Sequence, residues 1–207
     1  MKKNVLILLI IILFSAIQTY SIGMDSDTLN FEKIKEEHQT ISSAACISAN
    51  SKGDIAIGFN DDYINVYNNS GKYERSYAFK VDGSYFFELD DMGGIMIFTL
   101  RGNKSYYYNE EAELLKTEEF RIGDSEIYYK EHEGVKKLSI NENTYEISQR
   151  WGYTKLTKID INGYVTSIYE DGSAYYIKVF MLLFFWACVS VAIIIIIRSV
   201  IKKTNTR

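Results

Sequence analysis

An uninterrupted apolar stretch near the end of the chain constrains the fold more than any other feature. It covers residues 179–197, nineteen positions without a charge, a Pro or a Gly. At about 1.5 Å per residue a helix of this length nearly crosses a hydrocarbon core of about 30 Å, and in lipid a helix satisfies its backbone hydrogen bonds within one segment. We therefore predict a transmembrane helix over residues 178–198, with a buried helix of a soluble protein as the alternative.

Residues on both sides of the predicted span are of types that anchor helices at membrane interfaces. The predicted interface anchors are Tyr175, Tyr176, Lys178, Arg198, Lys202 and Lys203. Tyrosine rings favour the head-group region, and lysine side chains extend their ammonium groups toward water. Because residues 199–207 carry positive charge only, we predict that they form a basic cytoplasmic tail at the cell membrane. The domain before the span is then outside the cytoplasm.

The N-terminal residues have the pattern of a signal sequence. Two lysines precede an apolar run of thirteen residues, 5–17, and the small residues Ser21 and Gly23 fit a cleavage site. We predict that residues 1–23 are a signal peptide or, if uncleaved, an N-terminal signal anchor. The protein would then cross the membrane once or twice, and both alternatives place the central domain outside.

Charge separates the central region from the ends of the chain. All 27 acidic residues lie between Asp25 and Asp171, a region with 16 lysines and arginines, and its net charge is therefore −11. A negative field of this size disfavours nucleic acid and anionic lipid head groups as partners. The two cysteines are Cys46, in the predicted outer domain, and Cys188, within the span, so packing rather than disulfides must stabilise the domain.

A helical pattern precedes the main domain. Phe31, Ile34, His38 and Ile41 recur at helical spacing, and charged residues occupy the positions between them. We predict a short amphipathic helix within residues 24–41, with His38 packed or half-exposed rather than bound to a ligand.

Residues 42–177 are predicted to form an extracytoplasmic all-β domain. Short runs rich in Ile, Val, Tyr, Phe and Thr alternate with turn signals at intervals of about ten residues. The turn signals lie at residues 52–54, 60–62, 68–71, 90–94, 101–103, 133–134, 141–143 and 162–163. Short strands joined by tight turns pair antiparallel with their neighbours in sequence.

The strand pattern repeats. The pattern of residues 53–71 is repeated 41 positions later in residues 94–112. In each copy a further strand follows, which ends in Phe79 in the first copy and in Phe120 in the second. A third, looser and longer copy ends in residues 158–164. A period near 40 with four strands per unit is typical of propeller blades.

The first copy also resembles a known family. Residues 47–79 contain a Gly53-Asp54 turn, a strand, a variable turn, a strand ending in Tyr67, and a hairpin. This order resembles the blades of NHL-type β-propellers, and the resemblance extends over residues 47–120. It implies a propeller-like fold in a family whose members mostly bind other molecules, and it assigns no site residue here.

About three blade-like units are fewer than a ring normally needs to hide its sheet edges. We predict a propeller-like arrangement in a curled open sheet, with residues 124–171 holding about five strands. The alternatives are a ring completed by association of chains and a β-sandwich made from the same hairpins.

Patterns for catalysis or metal binding are sparse. Neither His38 nor His132 lies near a Gly-x-Ser-x-Gly elbow or a plausible nucleophile in the sequence. Lys136 stands where the second histidine of a His-Glu-x-x-His zinc motif would be. Acidic pairs such as Asp61-Asp62 lack the alternating spacing of a calcium loop and are predicted to be solvated turn residues. We predict no enzyme activity, no cofactor and no metal site.

Tyrosine is the remaining compositional signal, with seventeen copies. The predicted exposed aromatic surface comprises Tyr106, Tyr107, Tyr108, Tyr128 and Tyr129. Neighbouring side chains of a strand face opposite ways, so each cluster should place at least one ring toward solvent, with core packing as the alternative. Exposed tyrosines suit contacts with protein, and carbohydrate is a further possible partner.

These features predict a membrane-anchored extracytoplasmic binding or accessory protein with a non-catalytic domain. Its predicted partners are the lipid bilayer and either another protein or a second copy of this chain. The alternative is a structural or assembly subunit of a membrane complex that associates through its sheet edges and transmembrane helix.

Overall fold

The computed structural model of this chain describes residues 29–40, 42–120, 130, 134–150 and 153–204. Within this part of the chain, short strands are followed by one long helix. The strands are β1 Glu32–Ile34, β2 Ala44–Ala49, β3 Ile55–Phe59, β4 Tyr63–Tyr67, β5 Tyr73–Ala78, β6 Tyr85–Leu89, β7 Ile95–Thr99, β8 Lys104–Tyr108, β9 Leu114–Glu119, β10 Lys137–Ile140, β11 Asn143–Arg150, β12 Tyr153–Ile159 and β13 Val165–Glu170, and the helix is α1 Ser173–Thr204. The predicted signal sequence at 1–23, Tyr128, Tyr129 and His132 lie outside the described residues.

The strands form three antiparallel sheets. Sheet A has the order β1-β5-β4-β3-β2, sheet B has β6-β7-β8-β9, and sheet C has β10-β11-β12-β13. Apart from β1, strands that are consecutive in sequence within a sheet pair with each other, because short turns connect them. The prediction of a mainly antiparallel β domain followed by an apolar helix is confirmed. The described residues form three open sheets rather than one curled sheet, and the described part of residues 124–171 contributes the four strands of sheet C.

Five hairpins share one turn, whose chemistry explains the spacing of Asn or Asp and Gly in the sequence. Between β2 and β3, the Asn50 side-chain oxygen accepts hydrogen bonds from the backbone N–H groups of Lys52 and Asp54, at 3.1 and 2.9 Å. Gly53 has a φ of 85°, the left-handed conformation that fits such a turn to the twist of the strands. The equivalent acceptors are Asn68, Asp90, Asn109 and Asp160, and the equivalent left-handed residues are Gly71, Gly93, Ala112 and Gly163.

These hairpins lie together at one end of the domain. The Asn50 side chain donates to the Asp90 carbonyl oxygen of sheet B at 3.2 Å, and the Asn141 side chain of sheet C donates to the Ser51 carbonyl oxygen at 2.5 Å. We call this the hairpin end. The opposite end, which carries the turn at residues 60–62 and the start of α1, is the helix end.

Sheet A lies between the other two sheets and has a core on each face, so that all five residues of β3 are buried. Its Ala56, Ile64, Val66 and Tyr77 pack with Tyr85, Phe87, Ile97 and Tyr106 of sheet B. Its Ile55, Ile57, Phe59 and Tyr67 pack with Tyr145, Ile147, Leu156 and Tyr169 of sheet C. Burial of each large apolar side chain contributes about 1.5–3 kcal/mol, so these two layers dominate the stability of the domain.

The predicted N-terminal helix is wrong for the described residues 29–40, which contain strand β1. Residues 32–34 pair antiparallel with β5 and extend sheet A on the side away from β2. Phe31 is buried and stacks on Tyr77 with ring centroids 4.7 Å apart. A short isolated helix is marginal in water, and this packing overrides the helical spacing of the apolar residues.

Helix α1 begins five residues before the predicted span and extends to Thr204, so it also includes most of the predicted tail. Its segment Tyr175–Ile195 is long and apolar enough to cross a membrane, and none of the residues described in that segment is buried within the protein. Large apolar side chains such as Phe180 and Trp186 are 69% and 59% exposed.

Candidate functional site

Strand β2, at one edge of sheet A, lies beside the first strands of sheets B and C, which are β6 and β10. The Ile47 N–H donates to the Val135 carbonyl oxygen at 2.9 Å, and the Leu89 N–H donates to the Ser48 hydroxyl at 2.9 Å. We call the space bounded by β2, β6 and residues 134–140 the inner cleft. Two cavities lie in it.

The hairpin-end cavity has a volume of about 350 Å³. It is lined mainly by apolar side chains, from Cys46, Ile47, Ala49, Phe87, Leu89, Val135, Leu138 and Ile140, together with Ser48, Glu88 and Ser139. Burial is the main reason that the pKa of the Cys46 thiol rises to about 12. The thiolate is the nucleophilic and metal-binding form of cysteine, so Cys46 acts here as a small apolar side chain at neutral pH.

The helix-end cavity is larger, about 430 Å³, and more polar. Its lining residues are Ser43, Ala44, Ala45, Asn60, Asp62, Gly83, Ser84, Tyr85, Gly134 and Lys136. The Asn60 side chain donates to the Ser43 hydroxyl at 2.6 Å, and the buried Tyr85 hydroxyl donates to the Phe59 carbonyl oxygen at 2.7 Å. Both volumes fall in or near the range of about 300–1,000 Å³ that is usual for small-molecule sites.

Asp62 is the carboxylate of the helix-end cavity and has an unusual environment. Burial is the largest influence on its pKa, which rises to about 6; the negative charge of Asp61 also raises it, while the Val81 backbone and Lys80 act in the opposite direction. Its backbone φ of 67° is left-handed, which is uncommon for a residue other than glycine. Perturbed carboxyl groups and unusual backbone conformations both cluster at functional sites.

The neighbouring Asp61 has a different role. The His38 imidazole lies 3.0 Å from the Asp61 carboxylate and stacks on the Tyr63 ring with centroids 3.5 Å apart, and the Thr40 hydroxyl donates to the same carboxylate oxygen. Burial would raise the pKa of Asp61, but these hydrogen bonds and the charge of His38 outweigh it, and the pKa is lowered. This cluster fixes residues 38–40 against the turn at the helix end. His38 is half-buried, as predicted, although it is not on a helix.

The predicted aromatic surface is wrong for two of the three described tyrosines. Tyr106 and Tyr108 are only 5% and 4% exposed, because β8 is an inner strand of sheet B and both rings face sheet A. Tyr107 faces the other side of sheet B and is half-buried. Its hydroxyl donates to the Glu118 carboxylate at 2.7 Å, and the Lys116 ammonium lies 5.4 Å from its ring centroid.

The predicted membrane anchors all lie on α1. The ring of Tyr175 contacts those of Tyr153, at 5.1 Å between centroids, and Tyr176, at 5.7 Å. Tyr176 is 73% exposed, and Arg198 is exposed as well. A short link joins the helix to sheet C, where the buried Asp171 carboxylate accepts hydrogen bonds from the Thr154 N–H and the Tyr169 hydroxyl, both at 2.8 Å.

No group of three or more His, Cys, Asp or Glu side chains that could hold a metal ion occurs within the described residues. The carboxylates of the acidic pair Asp90-Asp91 accept hydrogen bonds from backbone N–H groups. Asp90 accepts from the Met92 and Gly94 N–H groups, and Asp91 accepts from the Ser51 N–H at 2.7 Å.

Sequence reasoning missed the helix-end cavity. The sequence pattern predicted a solvated turn residue at Asp62, and it marked Lys136 only as the residue in place of the second histidine of a zinc motif. The Asn60-Asp61-Asp62 turn was visible in the sequence, but the approach of Asp62 to residues 83–85 and 134–136 depends on how the sheets pack.

Comparisons with known proteins add only distant similarities. No protein-family model matches the chain, and no curated protein is similar enough to count as a relative. A streptogramin B lyase matches with a TM-score of 0.31 and 13% identity over 70% of this chain and 46% of its own. A protein of unknown function from Bacteroides caccae matches with a TM-score of 0.29 and 12% identity over 60% of this chain and 44% of its own. A structure of the mitotic checkpoint complex matches with a TM-score of 0.28 and 10% identity over 75% of this chain and 48% of the matched chain. The chain therefore spans less than half the length of each of these structures.

Proposed function

We propose that this chain is a membrane-anchored extracytoplasmic binding protein whose propeller-like domain holds a ligand in the inner cleft without catalysing a reaction. The observation that carries the proposal is the convergence of β2, β6 and residues 134–140 around two cavities. Binding sites commonly form where several elements converge and present a few polar groups within a mostly preformed cavity.

The apolar helix supports the membrane anchor. A segment of 21 residues at about 1.5 Å each reaches about 30 Å, and its side chains have no protein layer to cover them. Arg198, Lys202 and Lys203 follow the apolar segment, which favours a cytoplasmic position for that end of α1. The acidic domain is then extracytoplasmic.

The arrangement of the sheets supports a propeller-like description. Sheets A, B and C are each four-stranded antiparallel meanders, to which sheet A adds β1, and β2, the first strand of the sheet A meander, lies beside the first strands of sheets B and C. Blades of propellers are ordered in this way, with their first strands around a central channel.

Two features favour binding over catalysis. The Cys46 thiol, in the wall of the hairpin-end cavity, is held protonated by burial. The imidazole of His38 bonds to Asp61 and stacks on Tyr63, so its contacts are those of a structural residue. The helix-end cavity offers an acid, an amine, hydroxyls and an amide, which are groups that orient a polar ligand.

Equilibrium dialysis tests the proposal. Full-length protein in neutral detergent micelles is dialysed against the small-molecule fraction of a cell extract, and retained compounds are identified by mass spectrometry. Ala45→Trp places an indole in the helix-end cavity, and Ala49→Trp does the same in the hairpin-end cavity. We expect a compound that one variant loses and the other retains. If both folded variants behave like the unsubstituted protein, or if nothing is retained, the proposed function is wrong.

A second candidate function is assembly with another membrane chain. Among the described strands, β9 and β13 are the outer strands of sheets B and C, and Leu115 and Val165 on them are 65% and 64% exposed. Unpaired strand edges favour addition of another strand. Leu115→Lys and Val165→Lys should lower the mass of the detergent-solubilised protein measured by light scattering. Met92→Lys is the control, because Met92 is 82% exposed but lies in a turn.

A further inference from the structure

The helix-end cavity lies on the side of the domain that is nearest the apolar helix. Ala44, in its wall, pairs with Phe59, whose ring is 5.2 Å from that of Tyr169 at the end of the last strand. The Gly172 N–H, one residue before α1, donates to the Gln39 side chain at 3.3 Å, and Ser43 in the cavity wall follows Gln39 by only four positions. Four residues span at most about 14 Å. The cavity is therefore close to the level at which the chain would enter a bilayer.

Two opposite charges line this cavity, on different sheets. Asp62 projects from the β3–β4 turn of sheet A, and Lys136 precedes β10 of sheet C. Lys136 is exposed, and its ammonium group donates to the Gln149 side-chain oxygen at 2.7 Å. Ser43, Asn60 and Ser84 also line the cavity and supply hydroxyl and amide groups. A ligand with a positive and a negative group would meet a partner for each.

The fold does not require a carboxylate at position 62, as the equivalent turn of sheet B shows. There Asn103 occupies the same place, with a φ of 48°, and its carbonyl oxygen accepts from the Phe120 N–H at 2.8 Å. The Asp62 carbonyl oxygen accepts from the Phe79 N–H at 3.1 Å in the same way. Asparagine adopts the left-handed conformation readily. The negative charge of Asp62 thus needs an explanation other than the geometry of the turn.

We propose that the helix-end cavity binds a small zwitterion in which a primary ammonium group faces the Asp62 carboxylate and a phosphate-type anion faces the Lys136 ammonium. Phosphoethanolamine has this chemistry, either as a free molecule or as the head group of a membrane lipid. The inference rests on the proposed function and specifies its ligand class. A primary ammonium group donates up to three hydrogen bonds, which suits the carboxylate and the neighbouring hydroxyls.

Chemical protection of Lys136 provides the test. Full-length protein in neutral detergent micelles is treated with an amine-acetylating reagent, and the modification rates of Lys136 and Lys137 are compared by mass spectrometry. Lys137 is an internal control, because it faces the outer side of sheet C and pairs with Glu146 at 3.2 Å. We expect free phosphoethanolamine to slow acetylation of Lys136 and to leave Lys137 unchanged. Ethanolamine or inorganic phosphate alone should protect it less, because each satisfies one charge only.

The two sources of the ligand are separated by the lipid environment. The same measurement is made in nanodiscs of phosphatidylcholine and in nanodiscs of an equal mixture of phosphatidylcholine and phosphatidylethanolamine. Protection in the mixed nanodiscs without added ligand assigns the site to the lipid head group. Protection only by the soluble molecule assigns it to a free ligand. The quaternary ammonium group of phosphatidylcholine donates no hydrogen bond, so it should protect weakly.

Matched variants assign the protection to the cavity. Asp62→Asn should weaken phosphoethanolamine binding roughly tenfold or more, as expected for loss of a charge-assisted hydrogen bond. Asp82→Asn makes the same change in charge at a carboxylate that is 69% exposed and outside the cavity, and it should have no effect. Equal protection of Lys136 and Lys137, or equal binding by both variants, would overturn the inference. If dialysis retains a compound without an ammonium group, the inference fails while the proposed function stands.

Discussion

Phe31 and Tyr108 stack with their ring centroids 4.2 Å apart, although they belong to different sheets and distant parts of the sequence. Phe31 precedes β1 of sheet A, and Tyr108 ends β8 of sheet B. Phe31 also stacks on Tyr77 of β5, so its ring lies between the two sheets. The Phe31 ring therefore anchors the segment that contains β1 in the core between sheets A and B.

Truncation of this ring should therefore destabilise the domain strongly. We expect Phe31→Ala to lower the free energy of unfolding by about 3–5 kcal/mol, because it removes buried contacts and leaves a cavity. Phe31→Leu should lower the free energy of unfolding clearly less than Phe31→Ala does, because leucine still fills part of the space. Glu32→Ala, at the next and exposed position, should be nearly neutral. Urea denaturation followed by tyrosine fluorescence measures the difference, and a small effect of Phe31→Ala would mean that the segment is not part of the core.

Gly58 should not tolerate a side chain. A Cβ atom at this position would lie 2.7 Å from the Phe87 ring and 2.9 Å from the Tyr85 hydroxyl, closer than real contacts allow. We expect Gly58→Ala to cost about 1–3 kcal/mol through displacement of sheet B. At Gly172 the nearest atom would be 3.5 Å away, so Gly172→Ala is the control and should be tolerated. Equal thermal midpoints of the two variants would contradict the close packing of sheets A and B.

Ala112 is the exception among the five equivalent turns, because it adopts a φ of 66° where the other four turns have glycine. The left-handed conformation costs a residue with a Cβ atom about 1–2 kcal/mol, and the greater freedom of glycine in the unfolded chain offsets part of this. Ala112→Gly should therefore raise stability, by up to about 1 kcal/mol. Ala49→Gly, in strand β2, should lower it. A loss of stability in Ala112→Gly would show that the turn does not carry this strain.

Asp62 should make the domain less stable as the pH rises from about 4 to about 6. Its ordinary pKa is 3.8 and its pKa in the folded protein is about 6, so in this window the folded protein binds more protons than the unfolded chain. The groups that act on Asp62 are Asp61 and Lys80, and Lys136 lines the same cavity. Asp61 has a lowered pKa, so its contribution to stability rises with pH instead of falling, but only below about pH 4.

Asp62→Asn should remove this dependence and raise the denaturation midpoint at pH 7. The measurement is urea denaturation at several pH values between about 4 and 7, with Asp82→Asn as the control for the change in net charge. If Asp62→Asn loses stability over the same pH window as the unsubstituted protein, another group titrates there. A variant that is more stable yet binds less would identify Asp62 as a residue kept for function.

The orientation of the chain in the membrane can be tested with protease. Trypsin added outside intact cells or spheroplasts should cut within the acidic domain, and a tag placed after Arg207 should remain intact until the membrane is permeabilised. The physical reason is the basic segment after the apolar helix, which favours the cytoplasmic side. Cleavage of the tag with protection of the domain would reverse the proposed topology.

The elements that depend on local chemistry could be predicted from the residues alone. Asn or Asp followed three positions later by Gly marks the turns at 50–54, 68–72, 90–94 and 160–164, because the side-chain oxygen binds nearby backbone N–H groups and glycine accepts a positive φ. The apolar run of α1 was equally clear, since length and hydrophobicity are properties of one segment. The antiparallel order of the strands within each sheet, apart from β1, follows from the shortness of the turns that connect them.

The remaining features depend on contacts between segments that are distant in the sequence. The helical spacing around Phe31 gave way to β1, because pairing with β5 and stacking between two sheets stabilise the segment more than an isolated helix could. Tyr106 and Tyr108 became core residues because another sheet covers their face of β8. Asp62 and Lys136 line one cavity because sheet A packs between sheets B and C. Contacts between distant segments depend on how whole sheets fit together, and local sequence patterns carry no information about that fit.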